Sequence, residues 1–250
     1  MVFGPRYERL GFAGAGGNEL TMSKNKMILL SLLALPVIGA VMSPAASAAC
    51  GEGKTAVWCV GGKAFEGEET YTSSGGVFKL ETTIAKATVA LECAEETGEG
   101  TITKGGDGTN INRYGGKCSV VGNPKCAVGE PIKVGPLSTA LRLVAGKFYN
   151  AFKVKTAGEA LGKIELKNKG EEVCLLKGKY EVKGEGCSEV GSEAVKLVWT
   201  FSKAVEEACK TELKFFAEKG EKGERATLTG HSTQILTGVN KGKEWGAGLM

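Results

Sequence analysis

Residues 51–55, Gly-Glu-Gly-Lys-Thr, have the composition of the end of a phosphate-binding loop. The complete pattern, G-x-x-x-x-G-K-[ST], requires a glycine at position 48, which is occupied by Ala48. The loop must also open a helix, whereas the residues that follow, TAVWCV, are β-branched and aromatic and favour a strand. The sequence therefore predicts no nucleotide site here, and we expect no cofactor.

Side chains that could act as acids, bases or metal ligands are restricted in type. Asp107 is the only aspartate and His231 the only histidine, so a zinc site with two histidines is excluded. A Ser-His-Asp triad would need both residues together, yet Asp107 lies in a turn sequence and His231 fits an exposed strand position. Paired glutamates are the remaining route to glycan hydrolysis, but most glutamates alternate with lysines as on a solvated face. We therefore predict no catalytic residues and no enzyme, with a secreted glycosidase-like hydrolase as the alternative.

All eight cysteines follow residue 48. They are Cys50, Cys59, Cys93, Cys118, Cys126, Cys174, Cys187 and Cys209. An even set without a C-x-x-C motif predicts structural disulfides rather than a zinc or redox site.

Alternation of apolar and polar residues gives a partial prediction of the disulfide pairing. In ATVALEC and CLLKGKYEV it turns Cys93 and Cys174 toward the core, which suggests a bridge between them. Short separations suggest two further bridges, and the last follows as the remainder. The predicted pairs are Cys50–Cys59, Cys93–Cys174, Cys118–Cys126 and Cys187–Cys209.

The segment before the cysteines is typical of an export signal. Lys24 and Lys26 precede an apolar run over 27–42, and Ala46-Ser47-Ala48 supplies the small residues of a cleavage site. We expect a signal peptide at 22–48, a non-native extension at 1–21 and a secreted domain at 49–250, located extracellularly or at the cell surface. The alternatives are an uncleaved membrane anchor and a lipidated Cys50, although Ser47 stands where a lipidation motif usually has Leu.

The mature chain predicts an all-β fold. Runs of four to eight residues with period two recur between glycine-rich turns. In GVFKLETT, Phe78 and Leu80 alternate with Lys79 and Glu81, and in AVKLVWTFS the apolar residues, including Trp199, share one side. We predict an antiparallel β-sandwich or barrel-like domain with disulfides, either as one unit or as two β subdomains joined near 127–137.

One segment, 203–217, is ambiguous between helix and strand. Val205, Ala208, Cys209, Leu213 and Phe216 recur at helical spacing behind a candidate cap, Ser202. TELKFF within the same segment alternates as a strand would.

Charge and aromatic residues bear on the partner. The chain carries a net charge of +4 without a single basic cluster, so we expect no nucleic acid partner. We expect contact with a membrane only through the signal segment or a lipidated Cys50. Trp245, in KEWGAG near the end, is the best candidate for an exposed ring that stacks on a ligand, which leaves an extracellular or cell-wall glycan or a protein as possible partners.

Several short motifs spread over residues 55–247 resemble those of uncharacterised secreted proteins of soil actinobacteria. They are AVWC, VALEC, GTI, GKC followed by KC, EEVC and a closing WGA. Cys93, Cys118, Cys126 and Cys174 carry the resemblance. It implies an exported β protein and assigns no catalytic residues. We therefore expect an exported, disulfide-stabilised, non-enzymatic binding or cell-surface interaction module.

Overall fold

The alternating runs of the sequence form antiparallel strands. The structure, a computed structural model, describes residues 50–84, 86–217 and 222–250; the expected extension and signal peptide lie outside them. The strands are β1 (Ala56–Val60), β2 (Lys63–Ala64), β3 (Glu68–Gly75), β4 (Phe78–Ile84), β5 (Ala87–Cys93), β6 (Glu95–Thr103), β7 (Asp107–Gly115), β8 (Ser119–Val120), β9 (Cys126–Val128), β10 (Ile132–Val144), β11 (Lys147–Val154), β12 (Gly162–Asn168), β13 (Gly178–Glu193), β14 (Lys196–Phe201), β15 (Leu213–Ala217), β16 (Glu224–Leu236) and β17 (Trp245–Leu249). A 3-10 turn (Lys104–Gly106) and one α-helix, α1 (Lys203–Cys209), complete the described elements.

Eight strands close on themselves to form what we call the first ring. Their order is β3, β6, β7, β10, β11, β13, β14 and β16, and β16 pairs with β3 to complete the circuit. Every pairing is antiparallel, so each strand turns alternate side chains to the interior.

A second ring closes in the same way. Its order is β4, β5, β8, β9, β12, β13, β15 and β16, and β16 pairs with β4. The two rings share β13 and β16, whose halves pair with different neighbours: residues 178–184 of β13 belong to the second ring and 185–193 to the first. The all-β prediction is confirmed, and closure of both rings makes the architecture barrel-like.

Strand β10 runs through the region where the sequence allowed a join between two subdomains. Ile132–Val134 pair with β7, and Val134 also pairs with Gly162 of β12. The rings are thus tied together along three strands, β10, β13 and β16, instead of being joined by a linker.

A small three-stranded sheet, β17-β1-β2, lies against the first ring. Trp58 of β1 and Trp245 of β17 pack ring to ring with centroids 5.8 Å apart, and Trp245 also packs on Tyr71 of β3 at 6.0 Å. The Trp58 indole donates to the Asp107 carbonyl at 3.1 Å. Both indoles are buried, so this sheet covers an apolar part of the first ring.

The ambiguous segment contains both predicted structures in succession. Ser202 caps α1, since its hydroxyl accepts a hydrogen bond from the Val205 amide at 3.2 Å. The helix ends at Lys210, which takes a left-handed conformation, and β15 follows. Val205 and Cys209 of α1 pack on Tyr149, Ala151 and Cys187, on the outer face of the first ring.

The described chain contains four disulfides, and two of them differ from the predicted pairs. Cys50–Cys59 and Cys187–Cys209 form as expected. Cys93 pairs with Cys118 and Cys126 with Cys174, so the predicted bridges Cys93–Cys174 and Cys118–Cys126 are wrong. Four disulfides indicate that the chain folds in an oxidising environment.

Strand pairing explains the corrected bridges. Leu91 and Glu92 of β5 face Val120 and Ser119 of β8, and continuing this register places Cys118 opposite Cys93. Cys174 is not on a strand but in the loop before β13. Its amide donates to Asn168 Oδ1 at 3.2 Å, and Asn168 pairs with Cys126.

Candidate functional site

A cavity of about 80 Å³ lies where the two rings meet. Its lining comes from both rings and is mainly apolar; it includes Phe78, Leu80, Leu91, Leu137, Ile164 and Trp199. Lysine and arginine are absent from this lining. Protein interiors rarely contain voids larger than a water molecule, so this cavity is the main candidate for a ligand site.

A buried hydrogen-bond network occupies the interior of the first ring. Glu96 is 2 % exposed, and its two carboxylate oxygens accept hydrogen bonds from Ser73 at 2.8 Å and from Ser232 at 2.7 Å. Gln234 Nε2 donates to the Ser232 hydroxyl at 2.9 Å. Burial raises the pKa of the Glu96 carboxyl, and the hydrogen bonds from Ser232 and Ser73 offset only part of that effect.

Two asparagines of β7 link this network to the cavity, which they both line. With its amide nitrogen turned toward Glu96, Asn112 lies 3.1 Å from Glu96 Oε1 and 3.0 Å from Asn110 Oδ1. Asn110 Nδ2 donates to the Tyr71 hydroxyl at 3.0 Å, and that hydroxyl donates to the Thr109 carbonyl at 3.1 Å. Burial also raises the pKa of the Tyr71 hydroxyl.

Glycines of β6 make room for these polar side chains. A Cβ added at Gly98 would collide with the side-chain amide of Asn112 and the Ser73 hydroxyl, and one at Gly100 would collide with the Tyr71 ring. Part of the interior of the first ring is therefore filled by polar side chains packed over bare backbone.

A second concavity lies on the outside of the first ring. This open groove of about 460 Å³ runs along β7, β10 and β11 and carries charges of both signs. Arg142 pairs there with Glu185, and Lys153, Lys155 and Asp107 line the rest. Because no aromatic ring lines the groove and its arginine is already paired, it offers neither a stacking surface for a sugar nor a free bidentate anion site.

The structure corrects the expected role of Trp245. Its side chain is 0 % exposed, since it fills the contact between the small sheet and the first ring and cannot stack on an external ligand. Trp199 is buried, as predicted. Asp107 and His231 are both exposed, as their sequence contexts suggested.

The alternation of residue types did not predict the network around Glu96. Asn110 and Asn112 alternate with Ile111, which is typical of a strand whose polar residues face solvent, but they face the interior. Glu96 likewise stands among exposed glutamates, Glu95 and Glu99. The one available signal was the pair of glycines, Gly98 and Gly100, on the same face as Glu96.

Among the described residues, no group of three or more His, Cys, Asp or Glu side chains could hold a metal ion. Within the same ranges, no helix has the length and apolar character needed to cross a membrane. No protein-family model, no curated protein and no solved structure matches this chain.

Proposed function

We propose that this chain is an exported, non-enzymatic binding protein whose site is the cavity between the two rings. The ligand is a small uncharged molecule, or the apolar part of one. The observation that carries this proposal is the cavity itself: about 80 Å³, lined mainly by apolar side chains from both rings. Cavities lined by Leu, Ile and Phe stay dry and accept apolar guests.

The energetic cost of the cavity supports a binding role. At about 24 cal/mol per Å³, a void of this size costs about 2 kcal/mol of folding stability, which a single larger side chain at the lining could recover. A bound guest would return part of that energy, because it restores the missing dispersion contacts.

The lining also limits the ligand's chemistry. No cationic side chain is available to neutralise an anion, and Glu96 behind Asn112 would disfavour a second buried negative charge. A benzene-sized guest occupies a cavity of about 150 Å³, so the guest here is smaller than benzene.

A titration with cyclobutane, which is smaller than benzene, followed by amide chemical shifts in NMR spectra, tests the proposal. We expect saturable shifts at residues lining the cavity, with Val134→Phe abolishing them because Val134 lines the cavity. Val128→Phe is the matched control, since Val128 is also half-buried against the core but does not line the cavity. Absence of binding, or equal loss in both variants, would contradict the proposal.

Export is a separate part of the proposal, supported by the four disulfides and by the signal-like segment at 22–48. Expression of the full chain in a secreting host should give protein in the medium that begins after Ala48 and carries no free thiol. Recovery only from the cytosol, uncleaved and with reactive thiols, would refute export.

A further inference from the structure

The wall of the protein has a gap between β13 and β16, at the level where the two rings meet. Two successive strands lie between β13 and β16: β14, which ends at Phe201, and β15, which begins at Leu213. Neither of them pairs with residues 185–188 of β13 or with residues 227–229 of β16. These two stretches are the edges of the gap, which we call the window.

Helix α1 belongs to the connection between β14 and β15, and it is bonded to both edges of the window. On the β13 side, a disulfide joins its last residue, Cys209, to Cys187. On the β16 side, Glu206 Oε1 accepts a hydrogen bond from the Leu228 amide at 3.2 Å. An exposed ion pair next to it, between residues 207 and 225 at 3.7 Å, adds little in water. The helix is thus held covalently at one edge and mainly by one carboxyl group at the other.

The window lies beside the cavity. Phe201 and Leu213, the strand ends on either side of α1, both line the cavity. Leu228, whose amide bonds to Glu206, lines it as well. Helix α1 therefore covers a part of the wall that no strand provides, and a ligand that passed under it would reach the cavity without breaking any pairing between strands.

The ionised form of Glu206 is disfavoured in this position. The residue is 2 % exposed, and its second oxygen, Oε2, has no hydrogen-bond partner among the described residues. Burial raises the pKa of this carboxyl; the Leu228 amide and Arg225 offset only part of that effect, and Glu207 adds to it. A neutral carboxyl keeps a carbonyl oxygen that can accept from Leu228, whereas a buried carboxylate with one unpartnered oxygen is costly.

Other charged or titratable groups of α1 and of the strands that pack on it lie in pairs, at the surface or among apolar side chains. They are Lys203, which lies 3.9 Å from Glu207; Lys210, exposed beyond the helix; Arg142 of β10, paired with Glu185 of β13; Tyr149 of β11, packed on Val205; Lys196 at the far end of β14; and the exposed Glu224 and His231 of β16. Among the described residues, Arg225 is the one cation that favours the ionised form of Glu206.

Resting on the proposed cavity site, we infer that α1 is the lid of the cavity and that Glu206 is its latch. Loss of the Glu206 proton releases the helix from β16, while the Cys187–Cys209 bridge keeps it attached to β13. The lid is closed at low pH and opens as the pH rises, because ionisation favours the conformation in which the carboxylate meets water. The ligand remains the small uncharged molecule of the proposed function, and the lid controls its entry.

Hydrogen exchange of the Leu228 amide tests the latch without any ligand. Its protection factor is measured by NMR from about pH 4 to about pH 8, relative to the most protected amides of the second ring, which report global unfolding. We expect this ratio to fall about three-fold or more in the wild-type protein and to stay constant in Glu206→Gln, whose side chain is neutral and can still accept from Leu228. Glu212→Gln is the matched control and should behave as wild type, because Glu212 is an exposed carboxylate just beyond α1 that pairs with Lys214. No fall in the wild-type protein, or an equal fall in Glu206→Gln, would overturn the latch.

The exchange rate of cyclobutane between the cavity and water then tests the lid. Measured by NMR exchange spectroscopy, it should rise about three-fold or more over the same pH range in the wild-type protein and in Glu212→Gln, and stay level in Glu206→Gln. A rate that does not follow the opening at Leu228 would mean that the ligand enters elsewhere, and the lid would be wrong while the proposed function stands. If cyclobutane does not bind the wild-type protein at any pH, the proposed function fails, and the Leu228 measurement still decides the latch.

Discussion

The two rings have the same closed antiparallel architecture, but the first ring buries a polar network beside its apolar side chains. The second ring is filled by apolar side chains such as Leu91, Ile164 and Leu166, and their removal from water stabilises the fold. The first ring contains Glu96, Asn110 and a set of hydroxyls, and its stability requires that these groups be hydrogen-bonded. The cavity lies at the boundary, where the polar network ends and the apolar filling begins.

We expect the largest effect on the free energy of unfolding from placing a polar side chain in the second ring and an apolar one in the first. Leu166→Asn in the second ring should reduce the free energy of unfolding by about 5 kcal/mol, since it removes apolar packing and buries an amide without partners. Asn150→Leu in the first ring should change it by less than about 1 kcal/mol, because the amide it removes has no protein partner. Urea unfolding measures both, and a loss of several kcal/mol for Asn150→Leu would overturn the comparison.

The disulfides should also differ between the rings. Cys126–Cys174 spans 48 residues and closes the end of the second ring, whereas Cys187–Cys209 spans 22 and ties α1 to the first. Loop-closure entropy predicts losses of about 4 and about 3 kcal/mol for the respective double alanine variants. Thermal and urea denaturation of the two double variants measures which loss is larger. A larger loss for the Cys187–Cys209 variant would mean that the second ring tolerates loss of its disulfide better than the first.

A smaller effect concerns α1, the one α-helix of the described residues, which packs on the outer face of the first ring. Ser202→Ala removes its cap and should cost about 1 kcal/mol. Ser119→Ala, at an exposed position of β8 in the second ring, is the control and should be neutral. An equal loss at both positions would show that the cap contributes nothing specific.

The smallest expected effect is a pH dependence of the free energy of unfolding that comes from Glu96 in the first ring. Because the folded-state pKa of Glu96 is raised, the folded protein retains a proton that the unfolded chain releases above its pKa of about 4.3. Stability contributed by Glu96 is therefore unaffected below that pH and falls as pH rises toward the folded pKa. Glu96→Gln should gain stability relative to wild type with rising pH; Glu206, whose pKa burial also raises, contributes equally to both proteins. A difference that is constant from pH 3 to 7 would contradict this assignment.

Local patterns predicted what depends on neighbours in the chain. Phe78 and Trp199 are buried as their alternation indicated, and Ser202 caps a helix. The predicted partners of Cys93 and Cys174 and the predicted exposure of Trp245 were wrong because they depend on pairing between distant strands. The inward direction of Asn110 and Asn112, which no pattern predicted, depends on the same pairing. Period two specifies that Asn110 and Ile111 face opposite sides, but only closure of the ring decides which side is inside.

A crystal structure of the protein under xenon pressure tests the contrast between the rings most directly, because xenon enters dry apolar cavities without needing a polar partner. We expect xenon between the rings, in contact with Phe78, Leu137 and Ile164, and none beside Asn150 or Gln234. Xenon within the polar interior of the first ring, or its absence from the cavity, would contradict the division between a polar ring and an apolar one.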